Sequence, residues 1–273
     1  MATSDAPLQI GRVALTVRDL GAVARFYQHA LGLQTLSGDG ETMTLGAGAR
    51  PLLELRRDAA ARPASGREAG LFHTAFLLPA RADLGRWLAH AVEARIPLQG
   101  ASDHLVSEAV YLADPEGNGI EIYVDRPRAE WPMTPGGIRM VTEPMDHAGV
   151  LAAAGASRWA GMPEGSVVGH VHLQVGDLPQ TEGFYGRTLS MALTSRYRGA
   201  NFFGSGGYHH HLGTNIWNSQ GAGPRPPGTA GLAEVVLLAD AAERAAIEAR
   251  AGGLALHDPW GIAITVATRA GQP

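Results

Sequence analysis

The sequence predicts an α+β fold in which one βαβββ unit is used four times. Three observations predict it. The second half of the chain repeats the first, and each half restarts its own pattern midway. Strand-like alternation also gives way to helical spacing at corresponding points of each unit.

The repeat is read directly. Gly11-Arg-Val-Ala-Leu-Thr-Val-Arg-Asp-Leu20 resembles Gly169-His-Val-His-Leu-Gln-Val-Gly-Asp-Leu178. The match continues without a gap, Phe26, Tyr27 and Leu31 falling on Phe184, Tyr185 and Leu189. Asp114-Pro-Glu-Gly-Asn-Gly-Ile-Glu121 similarly matches Asp258-Pro-Trp-Gly-Ile-Ala-Ile-Thr265. Within the first half, Val13 to Val17 alternates as a strand does. Asp19 is a natural N-cap for a helix carrying Val23, Phe26, Tyr27 and Leu31. Strands follow up to Leu55. Phe72 to Leu78 starts the pattern again, with a helix near Leu84 to Ala94 and strands through Tyr123. The four modules are expected at about 10–56, 70–125, 168–218 and 230–268. This organises the chain as 1–127, a connector at 128–165 rich in Pro, Gly and Trp, and 166–273. The Pro- and Gly-rich stretch Ser219 to Gly231 reads as a loop.

Composition narrows the function. A 45% hydrophobic content fills a core, and 18% charged residues argue against disorder. The net charge of −4, without a Lys/Arg cluster, offers no surface for nucleic acid. The chain has no cysteine, which excludes disulfides, thiolate ligands and a cysteine nucleophile. His, Asp and Glu remain as metal ligands, suited to iron, manganese or zinc. No basic-then-apolar leader opens the chain, and no apolar run approaches the roughly 20 residues of a membrane span. A cytoplasmic protein is expected, free of membrane and nucleic acid, with its oligomeric state open.

Strand parity singles out the polar candidates. His170, His172 and Gln174 share one face of a strand whose other face is Val171, Leu173 and Val175. Glu121 lies between Ile120 and Ile122, and His73 lies in an otherwise apolar run. A buried imidazole or carboxylate is costly without a partner, and a shared metal would satisfy all three. Taken singly, each also fits a structural His or half of a salt bridge.

The fourfold βαβββ order, the strand–Asp-Leu–helix–Phe-Tyr pattern and the closing Asp-Pro-x-Gly-Asn-x-x-Glu resemble the vicinal oxygen chelate (glyoxalase/bleomycin resistance/extradiol dioxygenase) superfamily. The resemblance covers nearly the whole chain and implies paired modules whose mixed sheets form two half-open barrels. Metal ligands in that superfamily come from the first and last strands of each module. The corresponding positions are Arg12 and Glu54, His73 and Glu121, His170 and about Leu212 (its register left open), and Glu234 and Thr265. Pairing inner module with inner, as some ring-cleaving relatives do, collects His73, Glu121 and His170 in one site. The outer pair is then expected to be a vacated site in which Arg12 replaces the cation. Two histidines and one carboxylate are the ligand set of non-haem Fe(II) oxygenases, and glyoxalase I-like isomerases commonly use a fourth protein ligand.

Further strings, Asp103-His-Leu-Val-Ser-Glu and Gly206-Gly-Tyr-His-His-His, resemble the bacterial CatE-like catechol 2,3-dioxygenase branch. That resemblance implies catalytic roles for His104, Tyr111 and one of His209, His210 and His211, of which His210 is preferred. It implies Fe(II), with Mn(II) as the alternative, and a catechol-type substrate opened with O2. The competing expectations are a metal-dependent isomerase or lyase of the same superfamily and a non-catalytic small-molecule binding protein.

Overall fold

The computed structural model describes residues 5–269. Module one comprises β1 (Leu8–Val17), α1 (Leu20–Leu31), β2 (Gln34–Gly38), β3 (Thr42–Ala47) and β4 (Arg50–Arg57). Module two comprises β5 (Gly70–Leu77), α2 (Arg81–Glu93), β6 (Gly100–Asp103), β7 (Ser107–Ala113) and β8 (Gly119–Asp125). The connector holds a small ribbon, β9 (Met133–Thr134) and β10 (Gly137–Ile138), and helix α3 (His147–Ala153). Module three follows with β11 (Val167–Gln174), α4 (Leu178–Thr181), β12 (Ala192–Tyr197), β13 (Ala200–Gly204) and β14 (Leu212–Asn215). Its helix continues as π-helical turns over Glu182–Thr188. Module four comprises β15 (Gly231–Ala239), α5 (Ala241–Ala251), β16 (Ala255–His257) and β17 (Ala263–Thr268). Among the described residues the fourth module is therefore βαββ, one strand short of the expected unit.

Asp starts the module helices as expected. Asp19, Asp177 and Asp240 each accept a hydrogen bond from the backbone N–H three residues on. Helix α2 has Ala at the cap position, and there Asp83 reaches back to the Ala80 N–H. That helix begins at Arg81, a few residues before the expected Leu84.

The sheets pair outer with outer and inner with inner. One seven-stranded sheet runs β16-β17-β15-β1-β4-β3-β2, and one eight-stranded sheet runs β12-β13-β14-β11-β5-β8-β7-β6. The central strands meet antiparallel, β1 on β15 and β5 on β11. Each module's first strand lies parallel to its last. Val13, Leu15, Val171, Leu173, Val235 and Leu237 are buried in one core with Tyr27, Trp87 and Tyr185.

The repeated Phe-Tyr and Asp-Pro motifs tie modules together across the sheets. Tyr27 Oη, on α1, donates to Asp114 in module two at 3.5 Å, and Tyr185 Oη donates to Asp258 in module four at 2.7 Å. Each aspartate also accepts two backbone N–H groups of its own turn. The motif thus recurs because it joins one module's helix to the next module's turn.

The outer pair corrects one expectation. Arg12 forms an ion pair with Glu54 at 3.2 Å without hydrogen-bond geometry, and it acts on Glu234 through its charge and not by direct contact among the described residues. Arg56 is the bridging cation, with Nε 2.6 Å from Glu54 and Nη2 2.6 Å from Glu234. Thr265 Oγ1 donates to the other oxygen of Glu234 at 2.6 Å. Burial raises the Glu234 pKa, but the Thr265 and Arg56 hydrogen bonds and the arginine charges outweigh it and leave it lowered. A guanidinium does fill the place between these carboxylates, but it comes from the residue two beyond Glu54, on β4. Among the described residues, no helix is long and apolar enough to cross a membrane.

Candidate metal centre

Three adjacent strands of the inner sheet bring His73 (β5), Glu121 (β8) and His170 (β11) together. One ligand atom from each lies within 4.8 Å of the others. Glu121 Oε2 is 2.9 Å from His73 Nε2 and 3.2 Å from His170 Nε2. That spacing is short enough for each atom to reach one shared cation by a bond of about 2.0–2.2 Å. All three residues are buried. The His73 contact is not directed as a hydrogen bond, so its Nε2 is a buried nitrogen without a hydrogen-bond partner. As the side chains stand, Glu121 takes a directed hydrogen bond from His170 and not from His73, and a divalent cation accepting one lone pair from each residue would satisfy all three. Burial drives His170 down to about 4, leaving the neutral imidazole that a metal takes.

Strand register explains why the set stops at three. In every module the residue two beyond the first-strand position faces the last-strand position. Ala14 pairs with Glu54, Ala75 with Glu121 and Val236 with Thr265. The same relation in module three pairs His172 with Gly213. The fourth position is therefore Gly213 and not Leu212, a correction of one residue. Glycine brings no ligand, and a Cβ there would approach the His172 ring to 3.0 Å. His172 faces the cavity beside the triad, its ring in a cluster with Phe72 at 5.1 Å and Trp217 at 5.4 Å, and among the described residues its Nε2 has no hydrogen-bond partner.

A cavity of about 590 Å³ opens from the triad, and His104, Tyr111 and His210 line it. His104 Nδ1 lies 2.5 Å from the Val141 carbonyl, and His104 Nε2 lies 2.5 Å from Tyr111 Oη. A carbonyl only accepts, so Nδ1 carries the proton in the neutral ring and Nε2 accepts from the Tyr111 hydroxyl. Burial, helped by the Glu121 charge, raises the Tyr111 pKa well above its usual value, which keeps the hydroxyl protonated.

The three consecutive histidines separate cleanly. His209 is fully buried, with Nε2 2.8 Å from Asp125 Oδ1. The Ser205 N–H donates to His211 Nδ1 at 3.2 Å, and His211 is fully buried. Only His210 of the three lines the cavity, its ring centroid 4.1 Å from that of His170. Burial lowers the pKa of His210 well below 6.5, so its ring is neutral.

Several contributors were not read from the sequence. The connector supplies Met140, Val141 and Thr142 to the cavity wall. It is held there by reciprocal backbone bonds between Asp103 and Glu143. Tyr123 and Asp125 stand behind the triad on the same strand as Glu121, and the alternation 121, 123, 125 could have found them. Tyr123 fits against β11 because residue 169 is glycine, whose missing Cβ would collide with the tyrosine hydroxyl.

The Glyoxalase/Bleomycin resistance protein/Dioxygenase superfamily model matches residues 9–122 and 167–264. The chain is 42% identical over 228 residues to the catechol-2,3-dioxygenase of Bacillus subtilis (strain 168), covering 82% of this chain and 80% of that one. The chain belongs to this superfamily. Solved structures share the superfamily's fold at low identity. A dioxygenase candidate from Bacillus subtilis subsp. subtilis str. 168 superposes with a TM-score of 0.63 at 13% identity, covering 95% of this chain and 84% of that one. Glyoxalase I from Zea mays gives 0.55 at 17% identity, covering 96% and 92%.

Proposed function

We propose that this superfamily member is an extradiol ring-cleaving dioxygenase that opens catechol-type diols with O2 at a non-haem Fe(II) centre. The observation that carries the reading is a buried two-histidine, one-carboxylate set whose fourth register position is Gly213. Three protein ligands leave open positions for a diol and O2 together, the arrangement suited to non-haem Fe(II) oxygenases. The similarity to a catechol-2,3-dioxygenase supports the same substrate class.

His73, Glu121 and His170 would hold the metal. Iron bound there would lower the pKa of the diol and conduct electron density from it to O2. The protein's own residues supply the rest. His210, neutral and in the cavity wall, accepts a proton from one diol hydroxyl and returns it as the product forms. Tyr111, its hydroxyl proton given to His104, presents an oxygen lone pair that accepts from a diol hydroxyl. Phe72 and Trp217 give the ring an apolar bed.

The test is anaerobic preparation with iron, metal analysis and O2 uptake across a panel of catechols. The reading predicts about one iron or manganese per chain and O2 consumption matched to a ring-opened product. Activation by zinc alone, with no O2 uptake, would instead indicate an isomerase or lyase.

A further inference from the structure

His210 is not held by the cavity alone. Its Nδ1 lies 2.8 Å from Nδ1 of His209, and His209 Nε2 lies 2.8 Å from Asp125 Oδ1. His209 packs against both Trp131 and Tyr208, with ring centroids at 5.0 and 4.1 Å. Asp125 Oδ1 also accepts from the Tyr208 hydroxyl at 3.2 Å, and that hydroxyl is 2.7 Å from Tyr123 Oη. The line Asp125–His209–His210 therefore runs from the end of β8 to the cavity, with a fully buried ring in the middle.

The chemistry of these atoms assigns the protons. A carboxylate only accepts, so His209 carries its proton on Nε2. Neutral His209 then presents a lone pair at Nδ1. Two lone pairs do not face each other at hydrogen-bond distance, so His210 must carry its proton on Nδ1. The lone pair of His210 is left on Nε2, on the other side of the ring, and among the described residues that atom has no hydrogen-bond partner. A cationic His209 would reverse the second bond and put the proton on His210 Nε2. It would also place a full charge on a fully buried ring whose counter-ion is shared with the Tyr208 hydroxyl.

We infer that His209 and Asp125 are positioning residues that fix His210 as its Nδ1–H tautomer, with the Nε2 lone pair turned to the substrate. This rests on His210 being the base of the proposed reaction. His209 and Asp125 touch no substrate. They act as the orienting partner does in other histidine-based sites, where the wrong tautomer costs rate without disturbing geometry.

The tautomer can be read without turnover. Protein carrying ¹⁵N-labelled histidine and loaded with Zn(II), a diamagnetic ion, is examined by long-range ¹H–¹⁵N correlation at neutral pH. His210 signals are identified by their loss in His210→Asn. The expected result is a protonated Nδ1 and a bare Nε2 on His210. His209→Asn keeps an oxygen acceptor near the place of Nδ1, and should keep that tautomer and most of the turnover. His209→Phe keeps the packed ring but removes the acceptor. It should release His210 to Nε2–H or to a mixture, with kcat reduced roughly tenfold or more and metal content unchanged. A wild-type His210 protonated on Nε2 overturns the inference, and this measurement needs no variant to fold. An unchanged tautomer in His209→Phe overturns it equally. If the Nδ1–H tautomer is found but no catechol drives O2 uptake, the dioxygenase reading fails and the tautomer assignment stands.

Discussion

At the scale of single residues, each of His73, Glu121 and His170 offers one atom to a common point, so none has a stand-in. His73→Ala, Glu121→Ala and His170→Ala should each reduce bound metal from about one per chain to a small fraction, measured by metal analysis after gel filtration. His172→Phe should leave that stoichiometry unchanged, because His172 lies beside the triad and not in it. Loss of metal in His172→Phe with retention in His170→Ala would reverse the assignment. The three residues were candidates in the sequence because strand alternation put His170 on a polar face and Glu121 between two isoleucines, and the resemblance to the superfamily then chose His170 over His172. The choice of His210 was a preference there, and its physical basis is tertiary. Asp125 holds His209 and the Ser205 N–H holds His211, and neither contact can be read from three adjacent histidines. Placing the fourth ligand position near Leu212 missed by one residue, because parity is lost across the loop that precedes β14.

At the scale of elements, the outer sheet depends on a side chain the repeat did not highlight. Arg56 sits two residues beyond Glu54, on the same face of β4, and joins Glu54 to Glu234 across three strands. Arg56→Ala should destabilise the fold by about 1–2 kcal/mol, less than a fully buried pair because the side chain is 37% exposed. Arg12→Ala should cost under about 1 kcal/mol. Denaturant unfolding of both variants checks this, and a larger effect from Arg12 would restore it as the central cation. The two tyrosine ties should differ in the same experiment. Tyr185→Phe removes a 2.7 Å bond to a buried carboxylate and should cost roughly 1.5–3 kcal/mol, whereas Tyr27→Phe loses a 3.5 Å contact and should cost less. Helices and strands were legible from caps and periodicity, since both are local. The missing strand of module four was not, because the repeat carries no signal for how many strands close a sheet.

At the scale of the whole molecule, the inner sheet buries a group of histidines that an unfolded chain would leave in water. Burial holds His211 down to about 3 and His170 down to about 4, against about 6.5 when unfolded. Above about 6.5 neither state binds the extra protons, so these groups do not affect stability there. As pH falls through that value the unfolded chain takes up protons that the folded, metal-free chain does not, and stability falls until the folded values are reached. The Tm of the metal-free protein should therefore decline steadily from about pH 6.5 to 4. His211→Asn, which keeps an acceptor for the Ser205 N–H, should make the decline shallower. A Tm flat across that range would contradict the burial account. The pairing of inner with inner modules was legible only because three good ligands could be gathered no other way. The sheets follow that pairing, with β5 against β11 and β1 against β15. The connector's part in the cavity wall was not legible, since a Pro- and Gly-rich segment carries no periodicity to say what it covers. The proposed reaction joins O2 to a catechol at the inner site. The most direct test is mass spectrometry of the product formed by iron-loaded protein from a catechol under ¹⁸O2. The expected result is a ring-opened product carrying both atoms of the labelled dioxygen, and no such product in His170→Ala. A product without label, or with an intact ring, would contradict it.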